Sequence, residues 1–73
     1  MTEEELYGWL SSIVEAYHRY SKARTAEGKQ RAFENLQQMC KVFLTAVNSF
    51  YQTNFSLKEA MLVVLNKRNQ RRQ

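Results

Sequence analysis

The chain has no proline and no aspartate, two glycines, one cysteine and one histidine. Each shortage removes a class of structure or chemistry. Without proline, nothing rigidly interrupts a helix, and Gly8 and Gly28 add little breaking power. A lone Cys40 cannot form an intramolecular disulfide. In a short chain a single thiol fits a reducing setting better than a secreted one. No apolar run approaches the roughly 18 to 20 residues that a membrane-spanning helix requires. The opening MTEEELYGWL is acidic where a signal peptide starts basic. These features together predict a soluble, cytoplasmic protein.

The same shortages bear on catalysis. His18 has no aspartate to orient it and no serine spaced to suggest a triad. One histidine and one distant cysteine do not make a metal-ligand cluster. Cys40 falls on an apolar helical stripe, where a thiol behaves as a small hydrophobe. Glu3, Glu4 and Glu5 lie where carboxylates complement the positive end of a helix dipole. No glycine-rich phosphate loop is present. The sequence therefore predicts no enzyme, no cofactor and no metal.

What is abundant is helical pattern. Thr2 and Glu5 read as a capping box at the start of a first helix. Leu6, Leu10, Ile13, Val14, Tyr17 and Tyr20 then recur at helical spacing, predicting a helix over about residues 3 to 23. KARTAEGKQ breaks the pattern. Thr25 suits the N-cap of a second helix there, while Gly28 suits a left-handed end to the first. The second helix is expected over about residues 26 to 52, with Phe33, Leu36, Met39, Cys40, Phe43, Val47 and Phe50 as its stripe. In QTNFS, Asn54 suits a left-handed turn position. Ser56 and Glu59 form another capping box, so a third helix should begin near Leu57. The expected fold is all-α: a three-helix bundle of two long antiparallel helices and a shorter third. Residues 1–66 form one helical domain, and residues 67–73 are a basic tail or a continuation of the third helix.

A chain of this length buries only about 60% of its unfolded surface, so its core is small. The apolar faces are nevertheless wide. Leu44 and Tyr51 extend the second helix's stripe, and Leu62 and Val63 fall opposite the third helix's stripe. Tyr7 and Trp9 flank the first. Scattered apolar exposure is ordinary, but this much predicts a contact surface made of Leu62, Val63, Leu44, Tyr51, Trp9 and Tyr7, with packing at the rim of the core the equal alternative for Trp9 and Tyr7. Its expected occupants are a second copy, giving a helical homodimer, and another, acidic protein.

Four of the eleven cations, Lys67, Arg68, Arg71 and Arg72, lie in the tail, and the other seven balance the seven glutamates, leaving the whole net charge of +4 there. Lys22, Arg24, Lys29 and Arg31 surround the first turn. In an up-down-up bundle the two groups would merge into one basic pole. The pole would steer an acidic partner. It would alternatively hold nucleic acid through phosphates, without reading sequence. The expected role is thus a small regulatory or adaptor protein acting through protein–protein binding, with non-sequence-specific nucleic-acid binding as the alternative.

Overall fold

A computed structural model describes residues 2–71, with Arg71 described by its backbone alone. It is all-helical among the described residues: α1 is Glu3–Lys22, α2 Ala26–Tyr51 and α3 Leu57–Arg71. The three helices pack as a bundle, and α3 runs through Asn66 without a break.

Side-chain caps set the helix starts. The Thr2 hydroxyl accepts from the Glu5 N–H at 3.4 Å, and the Thr25 hydroxyl from the Gly28 N–H at 3.0 Å. Gly28 thus lies inside the first turn of α2 and does not end α1. A Cβ there would come within 2.9 Å of Thr25 Oγ1, so glycine leaves the cap room. Ser56 and Glu59 bond reciprocally: Ser56 Oγ accepts from Glu59 N–H at 3.4 Å, and Glu59 Oε1 from Ser56 N–H at 3.3 Å. Such caps satisfy donors that have no partner within the helix.

The left-handed residue after α2 is Gln52 (φ 55°), in place of the expected Asn54. The Gln52 and Thr53 N–H groups both bond the Asn48 carbonyl, which closes the helix in a left-handed cap. The Asn48 side chain then holds the connection. Its Oδ1 accepts from the Phe55 N–H at 2.8 Å and the Thr53 hydroxyl at 3.0 Å, while its Nδ2 donates to the Phe55 carbonyl at 3.1 Å. Asn48 is half-buried, and its amide supplies both donor and acceptor capacity.

The core sits at one end of the α1–α2 hairpin. Leu6, Leu10 and Ile13 of α1 meet Phe43, Ala46 and Val47 of α2, and Ala60 and Val64 of α3 close over them. Phe43, Leu6, Val47 and Val64 are the largest fully buried side chains. Each is worth about 1.5–3 kcal/mol of burial. The α2 residues that are buried all lie from Phe43 onward. Toward the α1–α2 turn the two helices have only each other, through contacts such as Tyr20 against Phe33 at 5.8 Å. The one-ended core fits the chain's radius of gyration of 13.3 Å. A compact domain of this length would have about 11 Å.

Replacing Asn48 by alanine should cost about 2 kcal/mol, because two backbone groups of Phe55 lose their partner. Asn48→Asp, which keeps the acceptor and loses the donor, should fall between. Urea unfolding checks this, and a loss under about 0.5 kcal/mol for the alanine variant would contradict it.

Candidate binding surface

Three helices meet in one polar contact. Glu3 Oε2 accepts from the Tyr51 hydroxyl at 2.9 Å and from the Tyr7 hydroxyl at 3.5 Å, joining α1 to the end of α2. Lys67 of α3 lies over the Tyr51 ring, 5.1 Å from its centroid. A cation on a tyrosine face is attracted by the ring quadrupole. Burial, and then the Glu3 carboxylate beside it, push the Tyr51 hydroxyl well above the usual tyrosine range.

That contact alters the reading of the six apolar candidates. Tyr51, Tyr7, Trp9 and Leu44 are half-buried and pack against the core. Val63 is half-buried as well. Leu62 alone of the six is exposed, at 50%. Other apolar residues are exposed instead: Val14 at 47% and Tyr17 at 57%, with Phe33, Val42 and Phe50 less so. Tyr17 lies in the middle of α1's stripe at about 100° per residue. It is exposed because α3 reaches only the other end of the hairpin. Periodicity gives the face of a helix, not the height at which a neighbour covers it.

Two surfaces result. Between α1 and α3 runs an open groove of about 450 Å³, floored by Leu10, Leu57, Met61 and Leu65. Val14 and Leu62 line it, and Lys58 and Arg68 are the charged residues in its lining. The second surface is an α2 stripe of Val42, Ala46, Ser49 and Phe50, with Lys41 and Thr45 beside it, bordering about 720 Å³ of open concavity.

Among the described residues the expected single basic pole does not form. Lys67 lies against Tyr51, and Arg68 Nη1 donates to Ser11 Oγ at 3.4 Å. Both therefore sit toward the acidic start of α1. Lys22, Arg24, Lys29 and Arg31 surround the opposite end of the hairpin, all exposed, with Lys29 over the Tyr20 ring at 5.1 Å. From Ser11 to Lys22 is about 16 Å of helix axis. The up-down-up arrangement fails because the Asn48-held connection starts α3 beside the end of α2 and lays it across the hairpin's open end. Arg72 and the Arg71 side chain lie outside the described residues.

Among the described residues neither His18 nor Cys40 belongs to a group of three or more His, Cys, Asp or Glu side chains. His18 is exposed. Cys40 is half-buried against the core, and burial raises its thiol pKa, opposite to an activated nucleophile. Among the described residues no three His, Cys, Asp or Glu side chains are grouped as a metal site, and no helix is long and apolar enough to cross a membrane. Comparison with protein-family models, curated proteins and solved structures finds no match to this chain.

The raised Tyr51 pKa fixes a direction for alkaline stability. The fold favours the protonated phenol, so its contribution is complete below the unfolded tyrosine pKa of about 10. It is lost as pH rises through the higher folded value. Tyr51→Phe should lower stability at neutral pH yet lose less than the parent does above about pH 10. Parallel urea titrations at neutral and alkaline pH check this; identical alkaline losses would contradict it.

Proposed function

We propose that this chain is a small, non-enzymatic regulatory or adaptor protein that acts by binding other protein surfaces. One observation carries the reading. Val14 and Leu62, each about half exposed, line a single apolar groove beside a core that leaves them uncovered. Contiguous apolar surface of this kind marks interaction sites more often than scattered exposure does. Nucleic-acid binding, the other reading of the net charge, would need a continuous basic track. Among the described residues, Lys67 and Arg68 stand away from the basic residues around the α1–α2 turn, and both already make contacts within the chain.

Self-association is a second part of the proposal, favoured by the α2 stripe. In a two-fold antiparallel pairing of α2 helices about Ala46, Val42 of one copy would face Phe50 of the other. Ala46 and Ser49 are small enough to let the helices approach. Such an isologous contact also enlarges a core that is small for one chain.

Two measurements test these parts separately. Sedimentation at micromolar concentration should show a dimer, and Phe50→Lys should return it to monomer with its helical circular dichroism kept. A monomer at every concentration would refute the α2 pairing. Affinity capture should retain a protein partner that the Val14→Ser/Leu62→Ser double variant, equally helical, loses. An identical set of captured proteins for both would refute the groove reading.

A further inference from the structure

The groove's shape and charge point further, to the chemistry of what fills it. Its α3 wall, from Leu57 to Arg68, extends about 16 Å, roughly three helical turns. Val14 and Leu62 stand half exposed along it, and Met61 and Leu65 form the floor between. Among the described residues the only charged side chains in the lining are cations, Lys58 and Arg68, ten residues apart on α3. Arg68 has no carboxylate partner among the described residues. Its hydrogen bond to Ser11 is long at 3.4 Å, and its Nε–H, shielded from solvent, meets no acceptor among the described residues. A guanidinium can donate five hydrogen bonds and is best matched by a carboxylate. It is thus underused where it stands.

We infer that the α1/α3 groove receives an amphipathic helix from an acidic protein partner, with apolar residues seated between Val14 and Leu62 and a carboxylate meeting Arg68. This rests on the protein-binding reading and gives it a partner chemistry. A helix is the fitting element because this fold, helical throughout its described residues, offers no sheet edge for an added strand. An apolar groove between helices instead takes side chains at i, i+3, i+4 and i+7. Charge decides against a second copy. Two copies set groove to groove would bring Lys58 and Arg68 against Lys58 and Arg68, with no acid among the described lining residues to offset them. An acidic helix meets the same rim with opposite charge. It gains orientation and encounter rate from the pairing, and affinity from the apolar seat.

The test uses the full chain and a designed helical peptide of about 18 residues, with leucines at helical spacing flanked by glutamates. The same peptide with lysines replacing the glutamates serves as control. By fluorescence anisotropy at low salt, the acidic peptide should bind at least about tenfold more tightly than the basic one. Arg68→Glu should abolish or invert that preference. Val14→Ser/Leu62→Ser should abolish binding of either peptide, with circular dichroism confirming the fold of each variant. Equal affinity for both peptides would overturn the inference. So would preference unchanged in Arg68→Glu, or binding undiminished in the double serine variant. Vesicles of phosphatidylserine and phosphatidylcholine form another arm: capture by vesicles without binding to the acidic peptide would assign the groove to a membrane surface and refute the helix. A dimer dissolved by Val14→Ser/Leu62→Ser, in place of Phe50→Lys, would assign it to a second copy and equally refute it. Failure of the acidic preference alone, with capture of a partner still dependent on Val14 and Leu62, would leave the protein-binding reading standing and remove this inference.

Discussion

Ala60 and Val64 of α3, both fully buried, rest on Phe43, Val47, Leu6 and Leu10. The rest of the molecule depends on this contact. Ala60 is small enough to bring the α3 backbone close, and Val64 then reaches the floor of the hairpin. Phe43 and Leu6 would be open to water without it. A two-helix hairpin of this length has no interior of its own. The third helix creates one for the larger side chains beneath its own footprint, and outside it α1 and α2 bury only the small Ala16 among the described residues.

The footprint is confined by the connection that delivers α3. Asn48 and the left-handed Gln52 turn the chain immediately after α2, so α3 begins beside α2's end. The Glu3–Tyr51–Lys67 contact then fixes its far portion against the start of α1. Two consequences follow from one placement. Lys67 and Arg68 of α3 are drawn toward the acidic start of α1, and the turn end of the hairpin keeps its aromatic side chains partly in water. The groove between α1 and α3 is the seam left by this crossing, and the same placement brings Arg68 to it.

Much of the local structure was readable from the sequence. The capping pairs at Thr2, Thr25 and Ser56 gave the helix starts, and the stripes gave most of the core, including Phe43, Val47 and Leu6. Those signals are local, arising within one or two turns of chain. The exposure of Tyr17 and Phe33 was not readable, because it depends on how far along the hairpin α3 reaches. The separation of Lys67 and Arg68 from the basic residues around the turn depends on the same distance. Gln52 gave no signal, since a left-handed glutamine is chosen by the hydrogen bonds of Asn48 and not by its own preference. Of the six apolar residues expected at the surface, Leu62 is the exposed one, and its position opposite α3's stripe is what makes that legible. The exposure of Val14 is not legible, because it lies within α1's apolar stripe.

An interior confined to one end implies a graded resistance to opening. Native-state hydrogen exchange measures this directly. Amides of α1 from Leu10 to Val14, α2 from Phe43 to Val47 and α3 from Ala60 to Val64 should exchange only by global unfolding. Those of α2 from Gln30 to Leu36 should exchange through smaller local openings, with protection well below the global value. Equal protection along both long helices, or the strongest protection beside the α1–α2 turn, would contradict a core that α3 alone completes.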